Sequence, residues 1–136
     1  VHIAEIIDSA IKSQREILLA AKVAVCAQGD FTAHTDGKAV EFVIRQFLIN
    51  CAKYCKGGQV AFSAQNGILT VSDNGPGIAA HELPRIFDRG FTGETGKKTG
   101  TGMGLYIVSE ICKRLDISLS VSSQPSEGTV FTLSFP

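Results

Sequence analysis

Residues 36–73 read DGKAVEFVIRQFLINCAKYCKGGQVAFSAQNGILTVSD, and this stretch decides the fold. Asp36 stands where a helix N-cap belongs, ahead of apolar residues at Val40, Val43, Ile44, Phe47, Leu48 and Cys51. That i, i+3, i+4, i+7 spacing predicts a helix with one face in a core. Gly57-Gly58 ends it, and two strand patterns follow at residues 59–64 and 68–73. Gln65-Asn66-Gly67 joins them with hairpin chemistry, because Asn-Gly readily adopts the positive φ angles of a two-residue turn. A core-facing helix followed by a β-hairpin predicts helices layered on a sheet.

The flanks extend this pattern. Residues 3–19 carry apolar side chains at Ile3, Ile6, Ile7, Ile11 and Leu18, which predicts a first helix. Short strands are expected at residues 23–27 and 31–34. Residues 74–101 show little periodicity beyond one helical turn at 80–86, and a loop of that length is expected to be a functional lid. A third helix is expected over residues 102–115, with Ile107, Val108, Ile111, Cys112 and Leu115 on one face. Two alternating strands close the chain, with Ile117, Leu119 and Val121, then Phe131, Leu133 and Phe135, directed inward. The expected fold is α+β: a two-layer sandwich with a mixed, mainly antiparallel sheet covered on one face by three helices.

Composition narrows the function. The chain has 136 residues, the size of one domain, and 44% of them are hydrophobic, enough for one core. Thirteen basic residues balance thirteen acidic ones, so no charge excess points to nucleic acid or an anionic membrane. The four cysteines form no C-x-x-C, and their expected place is the core of a protein in a reducing compartment. The longest apolar run, residues 17–21, is far below the roughly 20 residues needed to span a bilayer. A chain that opens in a helical pattern without methionine is expected to be a piece of a longer protein.

Three groups of residues can carry chemistry. On the second helix, Gln46, Asn50, Lys53 and Tyr54 fall along one ridge at the rim of the apolar stripe. Asn50 offers a neutral oxygen suited to Mg²⁺, Lys53 can reach a phosphate and Tyr54 can stack on a base. As boundary residues of a surface helix they would need no ligand at all. Next, alternation places Asp73 on the face of Leu69 and Val71, where a carboxylate is costly unless donors meet it. It can cap the Asp-Asn-Gly-Pro-Gly turn or accept a hydrogen bond from an exocyclic amine. Gly75 and Gly77 would let backbone approach a ligand, and Ile78 would supply an apolar wall. Last, Gly100-Thr101-Gly102-Met103-Gly104-Leu105 precedes a helix, where free amides can cradle phosphate. It is neither a Walker loop nor a dinucleotide fingerprint, since Gly96-Lys97-Lys98 lacks the required neighbours.

In this order the segments resemble the catalytic ATP-binding domain of bacterial sensor histidine kinases, a branch of the superfamily that holds gyrase B, MutL and the heat-shock ATPase chaperones. Asn50-Cys51-Ala52-Lys53-Tyr54 resembles the asparagine box, and Asp73-x-Gly75-x-Gly77 the first glycine box. Residues 86–91, IFDRGF, resemble the phenylalanine box, and Gly100-x-Gly102-x-Gly104-Leu105 the second glycine box. Glu127-Gly128-Thr129 resembles the terminal Gly-Thr. The runs RIFDRGFTGETG and TGMGLY are also similar to small intramembrane-sensing kinases that respond to cell-envelope antibiotics.

The resemblance implies a Bergerat-type fold spanning residues 1–136 as one domain, and a role for each matching residue. Asn50 would hold Mg²⁺ on the triphosphate of ATP, with Lys53 on a phosphate. Tyr54 and Ile78 would flank adenine and Asp73 would bond its amino group, with Thr129 near the base. The Gly102 and Gly104 amides would face the phosphates. Residues 87–99 would form a flexible ATP lid, with Arg89 reaching the γ-phosphate. The implied partners are the protein's own dimerisation and phosphoacceptor hairpin, within a homodimer of the parent, and a cognate response regulator. The implied location is the cytoplasm, with the parent in the inner or plasma membrane.

One position separates branches of the superfamily. ATP-hydrolysing members carry a water-activating glutamate four residues before the box asparagine; here Gln46 stands there and cannot act as a general base. That favours a kinase over a conformational ATPase. A serine kinase of the anti-sigma type is the further alternative. His81-Glu82-Leu83-Pro84-Arg85 superficially resembles a phosphoacceptor motif but lies inside the nucleotide-binding half, so His81 is read as a surface lid residue. The acceptor histidine is expected in a hairpin preceding residue 1.

Overall fold

The computed structural model describes residues 1–91 and 104–136. Its framework is a five-stranded sheet in the order β1-β2-β3-β5-β4. The strands are β1 (Ala24–Gly29), β2 (Gln59–Gln65), β3 (Ile68–Asp73), β4 (Ser118–Gln124) and β5 (Gly128–Ser134). β1 runs parallel to β2, and the other three pairings are antiparallel. The sheet is therefore mixed and mainly antiparallel, as the pattern predicted. In the β2–β3 turn Asn66 and Gly67 take φ of 51° and 80°, the left-handed pair that an Asn-Gly hairpin requires.

One face of the sheet is covered by helices α1 (Ile3–Ser13), α2 (Arg15–Ala20), α3 (Gly37–Tyr54) and α4 (Gly104–Arg114). Asp36 caps α3 as expected, its carboxylate accepting the Lys38 and Ala39 N–H groups at 3.1 Å. Val60, Phe62, Leu69, Val71, Phe131 and Leu133 point up from the sheet. They meet Val43, Ile44, Phe47 and Leu48 of α3, Ile3 and Ile7 of α1 and Val108 of α4, all but fully buried. Each such side chain contributes about 1.5–3 kcal/mol through burial. The opposite face carries Ser63, Thr70, Ser72, Ser120 and Thr132, as expected of a sheet with one wet side.

Two expected elements form differently. The first helix breaks at Gln14, so α1 and α2 replace one helix over 3–19. Ser13 Oγ donates back to the Ala10 carbonyl at 2.8 Å, a competing bond that bends helices. The break lets Leu18 reach the core while Ile17 and Leu19 stay exposed. Residues 31–34 make no strand of the sheet. They pair with the chain's N-terminus through a single His2–Thr32 bridge, Ile3 N–H to Phe31 O at 3.1 Å and Ala33 N–H to Val1 O at 2.9 Å. Asp30 then caps α1 from outside, taking the Ala4 N–H at 2.8 Å. The turn expected at 80–86 is a short 3₁₀ helix, Leu83–Arg85.

The four cysteines are free thiols. Cys51, Cys55 and Cys112 sit in the core as expected, but Cys26 is exposed. It alternates with Val25 and Ala27 on β1, so the strand's period turns it to the outer face. No helix among the described residues is long and apolar enough to cross a membrane.

Candidate nucleotide-binding cleft

Between the C-terminal half of α3, the end of β3 and the start of α4 the structure opens a cleft of about 240 Å³. The ridge read from the sequence lies along its wall: Gln46, Asn50, Lys53 and Tyr54 all line it. They do so because the apolar stripe of α3 is seated on the sheet by Phe47 and Cys51, which turns the adjacent ridge toward the opening. Gln46 reaches across to α4, where its Oε1 lies 2.9 Å from the place a Cβ on Gly104 would occupy. No larger residue fits at position 104 without displacing that amide.

Asp73 forms the floor at the far end. Leu69 and Val71 point to the helices, and Asp73 follows them by alternation into the same layer. Its Oδ1 accepts the Gly75 N–H at 2.9 Å, so the Asp-x-Gly turn is partly an Asx turn. The two readings of Asp73 are therefore compatible, since the carboxylate caps the turn and still lines the cleft. Burial holds its pKa above the ordinary carboxylate value of 3.8, opposed by the Gly75 and Thr129 backbone N–H groups.

Gly77 takes φ of 76°, and a Cβ there would overlap the Gln124 carbonyl, so the turn packs directly on the end of β4. This contact brings Ile78 to the cleft wall, with Thr129 at the base beside it. Thr129 is 5% exposed, and its Oγ1 lies 2.9 Å from Ser123 Oγ. Ser123 also accepts the Ile78 N–H at 2.7 Å and donates to the Gly128 carbonyl at 2.9 Å. Sequence reasoning passed over Ser123, because a serine on a Ser-rich edge strand carries no local signal. Glu82, Ile86 and Phe91 also line the cleft without having been singled out for it.

The remaining expected site residues divide. Gly104 and Leu105 line the cleft at the start of α4. Gly75 lies behind the wall against Cys55, whose Sγ is 3.5 Å from a Cβ built on it. Arg89 does not line the cleft; its guanidinium lies over the Tyr106 ring of α4, 5.9 Å from the centroid. Phe87 stacks edge-on with Phe131 at 6.2 Å, anchoring the start of the expected lid to the core. Gly100, Thr101, Gly102 and Met103 lie outside the described residues. His81 is exposed, as read.

Cys51 and Cys55 complete the floor, one helical turn apart. Burial, the adjoining Cys55 thiol and the Asp73 carboxylate push the Cys51 pKa far above the ordinary thiol range, so it stays neutral. Among the described residues no three His, Cys, Asp or Glu side chains converge to hold a metal. An ion drawn to the Asn50 amide oxygen would take its other ligands from phosphates and water, which suits Mg²⁺.

The chain is similar to known proteins over most of its length. BceS, a sensor protein of Bacillus subtilis, is 43% identical over 108 residues, covering 75% of this chain and 32% of its own length. YxdK, a sensor histidine kinase of Bacillus subtilis, is 33% identical over 147 aligned positions, covering 99% of this chain and 45% of its own. The chain thus spans a third to under a half of these relatives. The mycobacterial sensor histidine kinase MprB superposes with a TM-score of 0.81 at 25% identity, covering 100% of this chain and 95% of that structure. Residues 35–136 match the family described as histidine kinase-, DNA gyrase B-, and HSP90-like ATPase, and the chain belongs to that family.

Proposed function

We propose that this chain is the catalytic ATP-binding domain of a sensor histidine kinase. It binds MgATP and passes the γ-phosphoryl group to a histidine on a dimerisation hairpin of the parent protein, in a two-component system with a cognate response regulator. The observation that carries the reading is one cleft lined jointly by Gln46, Asn50, Asp73, Gly104 and Thr129. Asp73 and Thr129 form the base-recognition end of that cleft in this reading, and Asn50 and Gly104 its phosphate end.

In this reading Asp73 and Thr129 accept hydrogen bonds from the adenine amine, and Tyr54 and Ile78 hold the ring. Lys53 and the amides leading into α4 meet the phosphates. The Asn50 amide oxygen would hold Mg²⁺, which would neutralise charge on the triphosphate. The Pγ–O bond to ADP breaks as an imidazole nitrogen of the acceptor bonds to phosphorus, and the displaced imidazole proton passes to solvent. The protein's part is orientation and exclusion of water. Gln46, an amide at the position where a base would activate water, supports transfer to a protein over hydrolysis.

Arg89, stacked on Tyr106, would have to leave that ring to reach a γ-phosphate. The likeness of residues 85–96 and 101–106 to the small antibiotic-responsive kinases supports a parent at the plasma membrane, with this domain on the cytoplasmic side.

The test uses ATP labelled at the γ-phosphate. The chain alone should release phosphate very slowly, and addition of the parent's hairpin should yield acid-labile, base-stable phosphohistidine. Rapid release by the chain alone, with no transfer, would make it a hydrolase instead.

A further inference from the structure

Counting protons at Ser123 fixes the direction of three hydrogen bonds. The Ile78 N–H can only donate, and it meets Ser123 Oγ at 2.7 Å. The Gly128 carbonyl can only accept, and it lies 2.9 Å from the same oxygen. Serine has one hydroxyl proton, and Gly128 takes it. The remaining contact, 2.9 Å to Thr129 Oγ1, must then be donated by Thr129. Ser123 is thereby saturated, with one proton given and two lone pairs filled.

Thr129 lines the cleft, and its hydroxyl has no proton left to offer a ligand. Across the β3–β5 ladder its direct partner is Asp73. A carboxylate also offers only acceptors, and one Asp73 oxygen already takes the Gly75 N–H at 2.9 Å. Two acceptors therefore stand side by side at the base end, and a ligand facing them must bring donors.

We propose that Ser123 is a positioning residue that sets base specificity: by engaging the Thr129 proton it makes this edge of the cleft acceptor-only, selecting a 6-amino purine and repelling a 6-oxo purine. The proposal rests on reading the cleft as a nucleotide site. An exocyclic amine has two protons to give, one toward each acceptor, whereas a C6 carbonyl would set lone pairs against lone pairs. Without Ser123, the Thr129 hydroxyl is free to turn outward and donate to that carbonyl. Discrimination would then fall about tenfold, the size of one hydrogen-bond term.

The experiment compares equilibrium binding of MgATP and MgITP to the wild-type chain, Ser123→Ala and Ser123→Thr, each checked for folding by its melting transition. The wild type should prefer ATP. In Ser123→Ala the ATP-to-ITP preference should drop about tenfold, mainly through tighter ITP binding, while Ser123→Thr, which keeps the hydroxyl, should retain it. A merely structural role would weaken both nucleotides alike, and an unchanged ratio in a folded Ser123→Ala overturns the proposal. Should that variant not fold, Thr129→Val serves instead: loss of ATP affinity with ITP binding unchanged or tighter supports the proposal, and equal loss overturns it. A wild type that binds neither nucleotide removes the nucleotide-site reading itself, an outcome distinct from ATP binding with an unchanged ratio.

Discussion

Asp73 and Thr129 stand directly opposite each other across β3 and β5, and both line the same cleft. One is a carboxylate that burial disfavours, and the other is the only buried polar residue among those described. Polar groups are placed in such a layer at a cost in stability unless partners meet them. Gly75 and Ser123 supply part of that partnership, and the rest is left open toward the cleft.

A carboxyl whose folded pKa is raised opposes folding above that pKa, and its penalty fades as pH falls toward the ordinary value of 3.8. Asp73→Asn should therefore melt higher than the wild type at pH 7.5 or so, with the gap closing as pH is lowered through the folded pKa. The same change should weaken ATP about 10- to 100-fold, because a charged acceptor is lost from the amine. Paired melting and binding curves check it; a lower melting point at neutral pH would contradict the assignment of burial as the dominant cause.

Gly77→Ala should be among the most damaging single substitutions in the chain. Its φ of 76° is unfavourable for a side chain by about 1–2 kcal/mol, and the added Cβ would also overlap the Gln124 carbonyl. We expect a loss of about 3 kcal/mol or more in denaturant unfolding, with nucleotide binding lost alongside. Gly67→Ala provides the contrast: its φ is 80°, but no atom lies within 4 Å, so only the conformational term of about 1 kcal/mol applies.

Leu133 and Leu69 face each other across β3 and β5, both fully buried. Leu133→Ala removes a side chain from the centre of the core and should reduce unfolding free energy by about 2–5 kcal/mol. Chemical denaturation measures it directly.

The thiols give a map of accessibility. At pH 8 a maleimide should label Cys26 first, since it is exposed on the outer face of β1. Cys112, with its pKa pushed up to about 11 by burial, should stay unlabelled until the chain unfolds. Cys51 and Cys55 should label slowly from the cleft and be protected by saturating MgATP. Peptide mass mapping resolves all four; nucleotide-independent labelling of Cys51 and Cys55 would place the ligand elsewhere.

Much of this was legible because local pattern and tertiary role coincide. The α3 stripe, the Asn-Gly hairpin and the alternation of β3 each state a face, and those three faces bring Gln46, Asn50 and Asp73 to one opening. The break at Gln14 was not legible, because the apolar spacing on either side is compatible with an unbroken helix and only the Ser13 back-bond distinguishes them. Residues 31–34 alternate like a strand, yet the N-terminal segment, distant in sequence, captures their hydrogen bonds. Cys26 needed the strand's phase, which a single residue of register decides. Ser123 was invisible for a different reason: its importance lies in three partners at positions 78, 128 and 129, which only the β4–β5 pairing and the Gly77 turn bring within reach.

The central claim is that the cleft is a MgATP site with Asn50 at its metal-facing end. Isothermal titration of the chain with ATP, with and without Mg²⁺, for the wild type and Asn50→Ala tests it most directly. The account predicts one ATP per chain, binding that strengthens with Mg²⁺ in the wild type, and loss of that Mg²⁺ dependence in Asn50→Ala. No binding by the wild type, or the same Mg²⁺-dependent affinity in both proteins, would contradict it.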